Sequence, residues 1–158
     1  YLKGYQPIAA AKTFERSDLD KYDLKNPEIA QAASKIALIP EVRAALLKFQ
    51  RNFSKKLPGA VLDGRDIGTV VCPDARIKIF LTASLEARAK RRYIELRKHD
   101  EKINFKTILE QIKERDVRDQ TRRSSPMVAA SDAKIIDTSE LSIKEALDIV
   151  FSYIQTKI

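Results

Sequence analysis

Gly59-Ala60-Val61-Leu62-Asp63-Gly64-Arg65-Asp66-Ile67-Gly68-Thr69 is the stretch on which the fold of this chain turns. A short apolar run leads straight into a loop with carboxylates, an arginine and two glycines. The run Ala60–Leu62 predicts a strand buried on both faces, so the charged loop falls where that strand ends. In open α/β sheets ligands bind at the carboxyl edge, and glycines there allow tight turns and close backbone approach. The loop reads as a phosphate or nucleotide site. On these residues alone a second reading stays open: a polar connection in which Arg65 pairs locally with Asp63 or Asp66.

Outward from the loop, apolar periodicity predicts strands alternating with helices. Asn26-Pro27-Glu28 opens a helix running to about Leu38, with a cap residue, a proline in the first turn and a carboxylate near the positive end. A second helix starts at Pro40-Glu41, carries Val42, Ala45, Leu46 and Phe49 at helical spacing, and ends at Lys55-Lys56 before Pro58-Gly59. Ile77 to Leu81 predicts a further strand, and Ser84 caps a helix continuing through Leu96. The charged segment Arg97 to Lys102 predicts a mobile connection. A long helix follows from about Asn104 to Arg123, then a break at Ser124-Ser125-Pro126 and a short strand at Lys134 to Ile136. A last helix runs from Ser142 to about Thr156, with Ile143, Ala146, Leu147, Val150 and Ile154 on one side. Such alternation predicts an α/β fold with a parallel sheet.

The chain has 158 residues, 44% hydrophobic and 33% charged, which suits one domain with a real core. It contains no apolar run near membrane-spanning length and no export-signal pattern, so neither a membrane nor an exported protein is supported. The single Cys72 cannot form an internal disulfide, which fits the cytoplasm, and between Val71 and Pro73 it reads as a small buried apolar residue. His99 is the only histidine, which excludes a multi-histidine metal site and leaves little support for a histidine triad. The net charge of +8 implies attraction to polyanions. A groove that tracks a nucleic-acid backbone interleaves basic residues with aromatics, yet the six Phe and five Tyr are scattered and many read as core positions, which weakens that partner.

The long helix carries a second signal. Phe105, Ile108, Leu109 and Ile112 form an inward stripe, and continuing the same count reaches Arg115, Asp119 and Arg122. Charges on a core-facing stripe need a partner or a ligand, because an unpaired buried guanidinium is costly. Two arginines with an aspartate between them can offer forked donors to phosphate oxygens and an acceptor to a sugar hydroxyl. A third cluster, Arg88, Arg91 and Arg92, sits within about one turn of the preceding helix, where an anionic partner or a solvated face would relieve repulsion. The three clusters supply donors and no nucleophile, a combination suited to phosphoryl transfer between bound nucleotides.

These residues resemble the bacterial cytidylate kinase family, enzymes that move the γ-phosphoryl of ATP onto CMP or dCMP. The resemblance covers nearly all of Asp23 to Ile158. Its most specific parts are Ala33-Ser34-Lys35 through Pro40-Glu41-Val42-Arg43, the loop Asp63 to Val71 with Pro73-Asp74-Ala75, and Glu114-Arg115-Asp116 with Arg118-Asp119 and Arg122. It implies that Ser34, Arg43 and Asp66 read the polar edge of cytosine, and that Arg65, Arg115 and Arg122 hold the CMP phosphate and the transferred group. Asp119 would hold the ribose hydroxyls. Arg88 and Arg92 resemble lid-side arginines that approach ATP when the segment around Arg97 to Lys102 closes. Asp63 resembles a carboxylate that orients Mg2+ through water. The implied fold is a three-layer parallel sheet of the P-loop nucleoside monophosphate kinase type. Residues 1–158 would form a single domain: 1–58 a mostly helical CMP-binding side, 59–92 and 124–158 the core, and 93–123 the lid and long helix. The implied partners are CMP, dCMP and ATP with Mg2+, bound by a cytoplasmic monomer without membrane or nucleic acid.

The sequence departs from the family in one main respect. It has no G-x-x-x-x-G-K-[ST] string, whose backbone amides and lysine would cradle the ATP phosphates, and none of Gly4, Gly59, Gly64 and Gly68 begins one. A segment supplying another CMP-phosphate arginine is also missing, and Gln6 to Tyr22 is shorter than the sheet-bearing insertion common in the family. Tyr1 to Tyr5 reads as a helix tail stopped at Gly4. The expectation is of a chain that starts after the first strand, phosphate loop, first helix and second strand, with a loop-less relative as the other possibility. Residues 1–158 alone would keep a monophosphate pocket and lose phosphoryl transfer by several orders of magnitude. Two further readings stay open: a kinase of another monophosphate such as UMP, and a non-catalytic module that binds nucleotide or RNA.

Overall fold

The computed structural model describes residues 6–20, 27–98 and 100–158. In chain order they form α1 (Pro7–Lys12), a 3-10 turn (Arg16–Asp20), α2 (Pro27–Ile36), α3 (Pro40–Ser54), a π turn (Ile67–Val71) and β1 (Ile79–Thr82). There follow α4 (Leu85–Arg97), α5 (Phe105–Thr121), β2 (Lys134–Asp137) and α6 (Ile143–Gln155). The helix tail expected at Tyr1 to Tyr5, the cap Asn26 and His99 lie outside the described residues.

Helix ends follow the local chemistry. Ser84 Oγ accepts from the Ala87 amide at 3.1 Å, and Asn104 Oδ1 accepts from the Lys106 and Thr107 amides at 2.8 and 3.4 Å. Each satisfies donors that a helix start leaves without an intrahelical acceptor. In α6 Ser142 and Glu145 form a reciprocal capping box. β1 and β2 pair in parallel, with Ile79 opposite Lys134 and Thr82 opposite Asp137. The α4–α5 pair connects them, packed closely where Ala89, 0% exposed, removes side-chain bulk. Tyr93 and Phe105 meet edge to face at 5.8 Å across the same pair. Val42, Val71, Ala89, Ile108 and Ile136 are the buried apolar residues among those described, and Phe14 packs on Phe49 at 5.1 Å to fasten the α1 end of the chain to α3.

Several expectations are corrected. Residues 60–63 form no strand, and Val61 is 96% exposed. A strand exists only through its ladder, and neither described strand pairs with this run, so its apolar composition has nothing to bind against. The described sheet therefore has two strands. β1 begins two residues later than expected: the Lys78 carbonyl still accepts from the Lys134 amide at 3.0 Å just before the strand, while its side chain donates to the Pro73 carbonyl and to Asp132 at 2.7 and 2.9 Å. α5 ends at Thr121, which leaves Arg122 as its extended cap residue and not part of the helix. The apolar side of α6 is only partly covered: Ala146, Val150 and Ile154 are half-buried, whereas Ile143 and Leu147 are exposed. Cys72 is only half-buried, on the wall of an open groove of about 1000 Å³ shared with Leu62, Ile79, Val150 and Ile154.

Candidate functional site

α2, α3, the π turn and α5 converge on one polar cluster. Its members Ser34, Asp66, Asp119 and Arg122 are the buried polar residues among those described. Ser34 lies in the last turn of α2, and its Oγ donates to Asp119 Oδ1 at 3.2 Å. Asp66 precedes the π turn, where its carboxylate takes a donor from Arg43 of α3, and its Oδ1 faces Arg122 at 3.8 Å. Arg65 reaches in beside it: its Nε stands 3.2 Å from Asp119 Oδ2, and a terminal nitrogen donates to Met127 Sδ at 3.0 Å. A thioether is a weak acceptor, so this guanidinium keeps donor capacity for a stronger one.

Backbone geometry holds these groups. A Cβ on Gly64 would stand 2.9 Å from Ile67 Cγ1, so the glycine serves close approach, and neither Gly64 nor Gly68 takes a left-handed φ. Ser125 does, at φ 53°, and its carbonyl accepts from Arg122 Nε. The break after α5 thereby folds back to fix the arginine at the helix end. The Met127 amide donates to the Asp119 carbonyl at 2.7 Å and fastens the returning chain.

Three buried atoms in the cluster make no hydrogen bond among the described residues: Arg115 Nε, Asp119 Oδ2 and Arg122 NH2. Arg115 Nε stands 3.7 Å from Asp119 Oδ2, near enough for attraction and too far for a bond. Burial pushes the Arg115 guanidinium below its ordinary pKa, helped by the charge of Arg65. Burial also lowers Arg122, with Arg43 adding to it. Arginines stay protonated near neutrality even so, and the site is thus a set of crowded cations with donors left over and one carboxylate oxygen met by charge alone, without a hydrogen bond. That arrangement suits an anion carrying a hydroxyl-bearing group.

The lid-side arginines are placed differently from one another. Arg88 forks onto Asp116 of α5, with contacts of 2.9 and 2.7 Å, and also donates to the Ala83 carbonyl at 3.0 Å. Arg92 pairs with Glu95 at 2.7 Å and lines a small cavity of about 60 Å³ that Arg115 and Gln31 share. Arg97 donates to the Tyr93 hydroxyl at 2.8 Å, at the end of α4 where the expected lid begins. Asp63 is exposed, and among the described residues no group of three or more His, Cys, Asp or Glu could hold a metal ion. Sequence reasoning left Gln31 and Arg118 without roles. Arg118 donates to Gln31 Oε1 at 2.6 Å and approaches Ser34 Oγ at 3.5 Å, locking α2 to α5 beneath the cluster. Its position beside Asp119, with Glu114 at i−4, was the available signal.

A family model described as cytidylate kinase matches residues 7–156. The chain belongs to the cytidylate kinase family. A cytidylate kinase of Cereibacter sphaeroides is 46% identical over 155 residues, covering 98% of this chain and 75% of that protein. One of Methylocella silvestris is 50% identical over 139 residues, 88% of this chain and 64% of its own length. One of Bartonella bacilliformis is 52% identical over 139 residues, 88% of this chain and 65% of its own. The cytidylate kinase match spans every residue of the polar cluster, from Ser34 to Met127. No helix among the described residues is long and apolar enough to cross a membrane.

Proposed function

We propose that this protein transfers the γ-phosphoryl group of ATP to CMP or dCMP, giving CDP or dCDP, and that the monophosphate sits in the cluster around Asp119. Membership of the cytidylate kinase family supports the reaction. The observation that carries the site is the trio of buried atoms on Arg115, Asp119 and Arg122 that have ionic neighbours and no hydrogen bond among the described residues, amid crowded guanidinium groups.

Ser34, Arg43 and Asp66 offer a hydroxyl, a donor and an acceptor together, which is what recognition of the polar edge of cytosine needs. Arg65, Arg115 and Arg122 hold the acceptor phosphate and the group in transfer, and Asp119 takes the ribose hydroxyls. Phosphoryl transfer asks little covalent chemistry of a protein. These residues position the acceptor oxygen and stabilise charge on the transferring oxygens. Arg88 and Arg92 approach ATP from α4. The donor set for magnesium is one exposed carboxylate, Asp63, which fits an ion arriving with ATP and met through water, not a resident ion in a protein cage. When bound, that ion neutralises phosphate charge. In this reading residues 1–158 are one domain, with 1–58 the CMP side, 59–92 and 124–158 the core of a three-layer kinase-type sheet, and 93–123 the lid and long helix. A lone cysteine suits a cytoplasmic enzyme.

The test is CDP formation from CMP and MgATP, run beside calorimetric titration of CMP, dCMP, UMP and AMP. Tight binding of CMP and dCMP with CDP formation supports the kinase. Loss of CMP binding in both Arg115→Ala and Arg122→Ala, each still folded, supports the site. Nucleotide binding indifferent to both substitutions removes the site assignment.

A further inference from the structure

No motif drew notice to Arg51, yet it sits on the side of α3 that also presents Arg43, two turns earlier. The two arginines hold opposite ends of one short segment. Arg43 meets the Asp66 carboxylate where the π turn begins. Arg51 meets its far end, Nε donating to the Val71 carbonyl at 3.1 Å and NH2 to the Val70 carbonyl at 3.0 Å. Inside the turn, the Val70 and Val71 amides both donate to the Asp66 carbonyl, at 2.9 and 3.2 Å. The residues whose carbonyls Arg51 grips are therefore those whose amides fix Asp66.

A π turn is a rare, weakly favoured conformation that persists where its surroundings impose it. Base discrimination, in contrast, needs a carboxylate held to within about half an ångström. We propose that Arg51 is a positioning residue that sets the preference for cytosine by clamping the Ile67–Val71 turn behind Asp66. This rests on the reading above in which Asp66 recognises the base. Arg51 touches no nucleotide in this account, so its loss shifts the ratio of affinities for CMP and UMP and is not confined to stability. A merely structural arginine, completing the carbonyls at the end of a turn, would lower stability and leave the ratio alone.

The experiment is titration calorimetry of CMP and UMP on the wild type, Asp66→Asn, Arg51→Gln and Arg51→Lys, with the remote α6 variant Glu145→Gln as a destabilised comparator. Asp66→Asn is expected to reduce the CMP-to-UMP affinity ratio by about tenfold or more, the scale of a lost bond to a charged group. Arg51→Gln is expected to reduce it by roughly three- to tenfold, and Arg51→Lys, able to meet one carbonyl, to fall between. Glu145→Gln leaves the ratio at its wild-type value. A collapsed ratio in Asp66→Asn with a wild-type ratio in Arg51→Gln overturns the inference and leaves the functional reading standing. A wild-type ratio in Asp66→Asn overturns the base-reading role itself. Should Arg51→Gln fail to fold, Arg51→Lys decides: a lowered ratio supports the clamp and a wild-type ratio overturns it.

Discussion

Ser34 Oγ donates to Asp119 Oδ1 across 85 positions of chain, tying the end of α2 to the last turn of α5. The bond fixes which carboxylate oxygen remains for other partners. Oδ2 is left turned toward Arg65 and Arg115, where no hydrogen bond satisfies it. A buried hydroxyl thus sets the orientation of the acceptor assigned to the ribose.

Ser34→Ala removes that donor and leaves a buried carboxylate oxygen poorer by one bond. The expected loss of stability is about 1–2 kcal/mol. Urea denaturation checks it: the midpoint should fall with the slope unchanged, since no large surface is newly exposed.

Arg122→Ala is expected to weaken CMP binding by roughly 1.5–3 kcal/mol, as for a charge-assisted bond. Asp66 keeps Arg43, so the folded state loses less than the complex does. Calorimetry with CMP tests this, and an unchanged affinity in a folded variant would place Arg122 outside the binding surface.

Crowded, desolvated guanidinium groups gain when any phosphate enters, so inorganic phosphate should raise the melting temperature modestly, and CMP and CDP should raise it more than AMP or GMP. Added salt should shrink the phosphate effect. Equal shifts from all four nucleotides in a thermal scan would remove the cytosine assignment.

The α6 cap gives a pH prediction whose sign is fixed. The Ser142 hydroxyl, then its amide, hold the Glu145 carboxyl below its ordinary range. A lowered carboxylate adds stability that is complete above its unfolded value, about 4.3, and fades as pH falls through the lower folded value. Glu145→Gln should therefore melt earlier than the wild type at pH 7 and converge with it toward pH 2–3, on the order of two units below that carboxyl range. A difference independent of pH would contradict the cap.

Periodicity made the burial of Asp119 legible, because Ile108, Ile112, Arg115 and Asp119 fall on one side of a helix whatever lies beyond it. The same count reached Arg122 but could not show that the helix stops at Thr121 and that Ser125 turns back to hold it. Ala60 to Leu62 misled because an apolar run states a preference for a ladder without naming a neighbour, and pairing is not local information. Arg88 and Asp116 lie on different helices, so their fork has no sequence spacing to betray it. The grip of Arg51 is on main-chain carbonyls, which every residue type carries, so no choice of residue at Val70 or Val71 advertises it.

The contacts that build the polar cluster join residues 23, 62 and 85 positions apart. Each closes a long loop, and only the native state holds all three closed together. A nucleotide that bridges these groups therefore binds the folded chain and not the unfolded one. Its protection then grows with the logarithm of its concentration above Kd, so the melting temperature of this protein becomes a property of the nucleotide pool around it.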